Sequence, residues 1–341
     1  MKIVLSEDHR LHFPKGELCG GEMVRPFECP ERWDYVLGEL RSRGFKDTIA
    51  PDEIDLELVR KVHDAEFVEF LEQAWTDWHQ TGFKGEALPY VIPARRMQQR
   101  RPDHIDGRLG YYCMAIDTAI TNGTWQAVRS SAACAVTAQR LVADDGHAFA
   151  LCRPPGHHAA RDLYGGYCFL NNAAIAVQAF VEQGAHRVAL LDVDFHHGNG
   201  SQDIFNQRDD VLFVSLHGRP EDAFPHFSGY ADEVGEGAGE GYNINFPLRP
   251  GTTGSEWIAA LADALKRITD YRPDALVVSL GVDTFCKDPI SFFRLESEDF
   301  RRYGAHIGRL RLPTLFVMEG GYAVEEIGIN TVNVLDGYLD S

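Results

Sequence analysis

The chain is predicted to be an α/β protein built on a mostly parallel, multi-stranded sheet with helices on both faces. Two observations predict this. From about residue 124 onward, strand-length apolar runs alternate with helix-length segments whose apolar residues recur at three- and four-residue spacing. The strand runs are almost continuously apolar, as strands covered on both faces are. No internal repeat or low-complexity linker divides the sequence, so residues 1–341 read as one domain.

The elements follow in order. Lys2–Leu5 reads as a first strand, and the charged residues after it leave no apolar stretch for a signal peptide. Pro30–Arg43 and Asp64–Gln80 read as helices. Residues 81–108 have no clear period and carry Pro89, Pro93 and Pro102. An irregular stretch of that length in a compact domain is expected to be a functional loop or a contact surface. Its Arg95-Arg96 and Arg100-Arg101 pairs read as solvated. Strands are then expected at Ala148–Cys152, Arg187–Val193, Val211–Leu216, Tyr242–Phe246, Ala275–Leu280 and Thr314–Met318. Helices are expected at Thr124–Ala143, Asn171–Gln183, Ser255–Tyr271, Ser297–Leu310 and Val324–Leu339. The glycine-rich segment Gly235–Gly241 lacks the flanking strand and helix of a phosphate loop and reads as a connection.

A net charge of −18 argues against nucleic-acid binding, which needs a basic face, and favours attraction of cationic substrates. No apolar run approaches the length of a membrane span. The seven cysteines are odd in number and form no C-x-x-C pair, so neither a disulfide framework nor a cysteine zinc finger is expected. A reducing cytoplasm is the expected compartment.

The most informative segment is Ala189–Gly200, ALLDVDFHHGNG. Read as a strand running into polar residues, it sends Asp192, Asp194 and His196 to one face. Two carboxylates and an imidazole crowded at a strand end need a compensating cation, and oxygen and nitrogen donors of this kind suit zinc. Ligands of doubly wound sheets bind beyond the carboxyl ends of the strands. Three further strands end in comparable chemistry: Ala148–Cys152 before His157 and His158, Ala275–Leu280 before Asp283, and Thr314–Met318 before Glu319-Gly320-Gly321-Tyr322. All four clusters are expected at one rim.

Chemistry assigns the roles. Asp194, His196 and Asp283 make a three-ligand set that leaves positions open for water and substrate. His157 and His158 are candidate general bases, each needing a partner on its second nitrogen. Asp192 and Asn199 are available as those partners, and a carboxylate raises its histidine's basicity more than an amide does. Tyr322 is placed to donate to an oxyanion. The expected reaction is metal-assisted hydrolysis of an amide by water, since no serine or cysteine sits at a nucleophile elbow.

At these residues the sequence resembles the histone deacetylase family, which has the arginase–deacetylase fold. RPPGHH (153–158), GGYCFLNN (165–172), DVDFHHGNG (192–200), VSLGVDTF (278–285) and MEGGY (318–322) match it in order and spacing. Within the family the chain looks closest to the bacterial enzymes that deacetylate polyamines, a likeness that takes in GYYC (110–113) and AFPHF (223–227). The resemblance implies zinc at Asp194, His196 and Asp283, with iron(II) or cobalt as possible substitutes. It implies His158 as general base, His157 as its electrostatic partner paired with Asp192, and Tyr322 as transition-state donor. It implies that the Gly166 carbonyl accepts the substrate N–H and that Tyr167 and Phe224 form an aromatic slot. Structural potassium is implied at an inner site of Asp192, Asp194, His196, Ser215 and Leu216, and at an outer site of Phe205, Arg208, Val211 and Tyr242. The 81–108 insertion is implied to support a homodimer and narrow the mouth. The positions implied to bind the distal ammonium are Asp106 and Asp117, where the relatives carry glutamate.

The substrate expected is therefore a short acetylated polyamine, such as acetylputrescine, acetylcadaverine or acetylspermidine. Three alternatives stand beside it: a protein acetyl-lysine deacetylase, a non-catalytic small-molecule binding protein, and a binuclear manganese hydrolase of the arginase type.

Overall fold

The computed structural model describes residues 1–341. Its strands are β1 (Lys2–Val4), β2 (Glu17–Cys19), β3 (Glu22–Val24), β4 (Thr48–Ile49), β5 (His147–Ala150), β6 (Val188–Asp192), β7 (Val211–Gly218), β8 (Asn243–Leu248), β9 (Ala275–Leu280) and β10 (Thr314–Met318). Its helices are α1 (Pro30–Ser42), α2 (Leu56–Arg60), α3 (Ala65–Gln80), α4 (Ile105–Tyr111), α5 (Thr124–Asp145), α6 (Asn172–Glu182), α7 (Asn199–Phe205), α8 (Gly254–Tyr271), α9 (Ser297–Gly308) and α10 (Ile327–Leu339).

Eight strands form one sheet in the order β4-β1-β5-β10-β9-β6-β7-β8, and every pair in it is parallel. The central strands β6, β9 and β10 are buried at every residue, which explains their nearly continuous apolar sequences. Helices cover the sheet because parallel strands need crossover connections. The amphipathic α8 shows how one is fixed. Thr253 and Glu256 form a capping box at its start, and Trp257, Leu261, Leu265 and Ile268 turn one apolar face inward. The apolar core runs continuously from Ile3 to Leu335.

The expected elements all form, with shifted ends. The strand expected at Ala148–Cys152 is β5, His147–Ala150, and the last helix begins at Ile327 rather than Val324. The backbone N–H groups of Tyr322 and Ala323 are held by Asp288 just before that helix. Smaller elements were not foreseen: β4, α2, α4, α7 and the antiparallel β2–β3 hairpin. Within 81–108 the chain carries no regular structure until α4 starts at Ile105. The Arg95-Arg96 and Arg100-Arg101 pairs are exposed, as expected. No helix is long and apolar enough to cross a membrane.

One expectation needs correcting. The strand expected to carry Asp192, Asp194 and His196 stops at Asp192. Beyond it, the Asp194 N–H donates to Asp192 Oδ1 at 3.1 Å and the His196 N–H donates to Asp194 Oδ1 at 2.9 Å. These side-chain bonds to the backbone two residues on replace the strand ladder with consecutive turns. Asp194 and His196 converge because of those turns rather than by strand alternation.

Candidate active site

The carboxyl ends of β5, β6, β9 and β10 bring the four polar clusters together. Donor atoms of Asp194, His196 and Asp283 lie within 4.8 Å of one another, and all three residues are buried. His196 Nδ1 is 2.9 Å from Asp283 Oδ2 and 3.3 Å from Asp194 Oδ1. One oxygen of each carboxylate is pinned by backbone: Asp194 Oδ2 accepts from the Gly320 N–H at 2.8 Å, and Asp283 Oδ1 from the Phe195 N–H at 2.7 Å. Two glycines make this crowding feasible. A Cβ on Gly281 would stand 2.0 Å from Asp194 Oδ2, and one on Gly320 would stand 2.4 Å from it.

These residues fit a divalent metal. The basic side chains paired with the two carboxylates are His157 and His196, with no lysine or arginine among them. Burial and the charge of Asp194 push Asp283 up to about 8. Two dry carboxylates this close resist ionising together unless a cation joins them. Two carboxylates and an imidazole suit zinc, and equally iron(II) or cobalt.

The histidine pair sits beside the triad, with ring centroids 4.0 Å apart. His157 Nδ1–H donates to Asp192 Oδ2 at 3.0 Å, and His158 Nδ1–H donates to Asn199 Oδ1 at 2.7 Å. Each partner accepts, so in the neutral ring Nε2 keeps its lone pair. The two rings are held in different states. Burial opposes charge on His157, but Asp194 and Asp192 outweigh it and raise the imidazolium to about 10. Burial, then the charges of His157 and His196, hold His158 well below the usual histidine range. His158 is thus held neutral and His157 cationic.

Tyr322 is buried, and burial drives its hydroxyl well above the usual phenol range, so it remains a donor. Its backbone is fixed by Asp288, and Arg32 of α1 stacks over its ring at 4.9 Å. The Arg32 guanidinium also donates to the Gly321 carbonyl at 2.6 Å and to that of Glu319. Glu319 Oε2 in turn accepts from the N–H groups of Gly156, at 2.7 Å, and His157, at 3.2 Å. Sequence reasoning missed Arg32, Asp288 and Glu319. The Glu319 signal was present inside MEGGY, whereas nothing local marks Arg32 or Asp288. His157 and Glu319 also approach Cys168 closely enough to form a second group of ligand types. Within it, His157 Nδ1 and Glu319 Oε2 are already committed to the bonds just described.

A cavity of about 290 Å³ opens from His158 and His196. Tyr167, Phe224, Phe195 and Phe292 line it, with Gly166, Tyr322, Asp117 and Glu17. Tyr167 adopts a left-handed backbone, φ 66°, which a bulky residue holds only under constraint. Thr118 Oγ1 accepts its N–H at 2.7 Å, Asp117 Oδ1 accepts the Gly166 N–H at 3.0 Å, and its own hydroxyl donates to Glu17 at 3.0 Å. Asp117 therefore reaches the cavity but spends an oxygen on the loop that carries Tyr167. Asp106 lies half-buried in the first turn of α4, outside the cavity lining.

The remaining positions lie behind the site. Ser215 and Leu216 are buried on β7 beside β6, and the Ser215 hydroxyl bonds His217 Nδ1 at 2.8 Å. Phe205 closes α7, Arg208 and Val211 follow it into β7, and Tyr242 precedes β8. The Arg208 side chain is turned to Asp210 and Gln178.

A parallel sheet that delivers a buried three-ligand metal site and a differentiated histidine pair to one rim defines a metal-dependent hydrolase. Similarity to known proteins narrows the class. Residues 26–337 match the histone deacetylase domain. The chain is 56% identical over 339 residues to acetylpolyamine amidohydrolase 2 of Pseudomonas aeruginosa, covering 99% of this chain and 98% of that protein. It is 54% identical to the acetylpolyamine amidohydrolase of Mycoplana ramosa, covering 99% of each. A crystal structure of acetylpolyamine aminohydrolase from Burkholderia pseudomallei superposes with a TM-score of 0.94 at 37% identity, covering 99% of this chain and 98% of that one. The chain belongs to the histone deacetylase family.

Proposed function

We propose that this protein is a zinc-dependent deacetylase of short acetylated polyamines, releasing acetate and the free amine. The observation that carries this reading is the cavity itself. It leads from His158 and the candidate ligand His196 along aromatic walls, and its lining holds carboxylates but no lysine or arginine. Aromatic walls suit a methylene chain, and uncompensated acid suits a cationic end. The names of its full-length relatives support the same substrate class.

The chain's own residues account for the chemistry. A zinc ion held by Asp194, His196 and Asp283 would polarise the acetamide carbonyl and acidify the attacking water. His158 takes the water proton at Nε2 and returns it to the leaving amine. His157, held cationic by Asp192, offsets negative charge as it grows nearby. Tyr322 donates its hydroxyl to the developing oxyanion. The Gly166 carbonyl accepts the substrate N–H, and Tyr167 and Phe224 hold the methylenes.

We assign potassium to the inner and outer positions given by the resemblance, and a homodimer to the 81–108 segment. Seven free cysteines suit a reducing compartment, for which we propose the cytoplasm. Asp117 and Asp106 remain candidate contacts for the distal ammonium.

The deciding measurement is kcat/KM of the zinc-loaded protein on acetylputrescine, acetylcadaverine, N8-acetylspermidine and an acetyl-lysine peptide. The short acetylated amines should be preferred. Faster turnover of the peptide would move the assignment to a protein deacetylase.

A further inference from the structure

Tyr322 is the proposed oxyanion donor, yet no helix or strand carries it. It lies in the stretch from Glu319 to Glu326, between β10 and α10. Gly320 and Gly321 precede it, and Gly321 takes φ 134°, a conformation that residues with side chains rarely adopt. The direction of such a backbone is set by what its N–H groups bond. On one side the Gly320 N–H donates to Asp194 Oδ2 at 2.8 Å. On the other, the N–H groups of Tyr322 and Ala323 both donate to Asp288 Oδ2, at 2.7 and 3.2 Å.

Asp288 stands in a different segment, between β9 and α9. Its second oxygen, Oδ1, accepts the Ile290 N–H at 3.1 Å. Ile290 and Phe292 of that segment line the cavity together with Tyr322. One side chain thus joins a wall of the cavity to the backbone of the donor. Asp288 is 6% exposed, and its bonded partners are all backbone N–H groups. Hydrogen bonds to a charged carboxylate are roughly twice as strong as those between neutral groups. A second link between the two segments, Lys287 Nζ to Glu326 Oε1 at 3.1 Å, is exposed at the lysine and adds little. Arg32 stacks on the Tyr322 ring, but its backbone bonds go to Glu319 and Gly321, on the N-terminal side. Asp288 is therefore the anchor on the C-terminal side.

We propose that Asp288 is a positioning residue for the reaction. It holds Tyr322 in register with the Ile290–Phe292 wall, so that the hydroxyl meets the oxyanion of a substrate lying against that wall. This rests on the reading of Tyr322 as the donor. The role belongs to the transition state, so loss of Asp288 acts mainly on kcat. A donor misplaced by about 1 Å costs about 100-fold in rate.

The test is a double-variant cycle on the zinc-loaded protein at matched metal content. Wild type, Asp288→Asn, Tyr322→Phe and the double variant are compared for kcat and KM on acetylputrescine. They are also compared for Kd of a trifluoromethyl ketone of the same chain length, a mimic of the tetrahedral state. Asp288→Asn keeps the shape of the side chain but offers one acceptor oxygen where three N–H groups now share two. Tyr322→Phe should lower kcat by about 100- to 1,000-fold, the usual loss of an oxyanion donor. Asp288→Asn should lower kcat and weaken the ketone by about 10- to 100-fold, with KM little changed. The double variant should bind the ketone no worse than Tyr322→Phe does, because a group that acts through the tyrosine then has nothing to act on. Equal losses in both backgrounds, or a rise in KM alone, would make Asp288 a prop of the fold and overturn the inference. If the asparagine oxygen still serves Tyr322, Asp288→Ala takes its place in the cycle, and no loss in either variant overturns the inference as well. A Tyr322→Phe protein with unchanged kcat and ketone affinity removes the donor assignment, and the inference with it.

Discussion

His157 and His158 are chemically identical neighbours held in opposite charge states by the charges around them and by their hydrogen-bond partners. His157 faces a carboxylate and His158 an amide. Replacing that amide by Asn199→Asp should stabilise the His158 imidazolium and raise a base that is now held well below its usual range. The unprotonated fraction would then fall away at higher pH. The acid limb of kcat/KM should therefore move upward, by about one to two pH units for one new carboxylate. A pH–rate profile of wild type and variant reads this directly, and an unmoved limb would remove His158 from the role of base. At this scale the sequence was very informative. Asp194, His196, Asp283, His157, His158 and Tyr322 were all legible, because each follows a buried strand. Arg32 and Asp288 were not, because their roles come from backbone groups distant in sequence.

At the scale of elements, strand ends must approach one another closely for the ligands to meet. Gly281 follows β9 directly, where an added methyl would intrude on Asp194. Gly281→Ala should displace that carboxylate and weaken metal binding by about 10- to 100-fold, the usual cost of disturbing ligand support. Metal content after dialysis against a weak chelator checks this. Gly38→Ala is the control, since it sits on the exposed side of α1 with nothing within 4 Å of the added carbon. That variant should keep its metal and gain slightly in stability. Equal metal retention in both would mean the ligand cluster tolerates the intrusion. Long buried strands were readable from their apolar runs, but the β2–β3 hairpin was overlooked. Its signal was the Gly20-Gly21 pair, which takes positive φ at both residues, 59° and 85°, as a tight hairpin turn requires. With strands of three residues, the apolar pattern was too short to draw attention to the turn, and Glu17 was missed with it.

The whole molecule shows a contrast between its core and its 81–108 segment. The core is continuous, whereas the segment leaves Phe83, Tyr90, Val91 and Met97 exposed, Tyr90 by 87%. The segment is nonetheless seated, for the Val91 carbonyl lies so close to Gly110 that a Cβ there would be 1.7 Å away. Clustered apolar side chains on a fixed loop mark an association surface more often than a solvent face. An irregular segment offers no periodicity, so its length alone suggested a contact surface, its part in a dimer came from resemblance, and its exposed side chains came only from the fold. If a second copy covers it, the protein should sediment as a dimer. Placing charges there with Tyr90→Glu and Val91→Glu should yield a monomer, because a buried unpaired carboxylate is strongly unfavourable at an interface. The proposed metal ligands and the histidine pair lie on the sheet's rim, outside this segment, so the monomer should retain its metal. If the partner copy narrows the mouth, the monomer should also turn over an acetyl-lysine peptide better, relative to a short acetylated amine, than the dimer does. Sedimentation velocity with parallel kcat/KM measurements separates the possibilities. A dimer that survives the charges places the interface elsewhere. A monomer with unchanged selectivity means that the cavity walls alone choose the substrate.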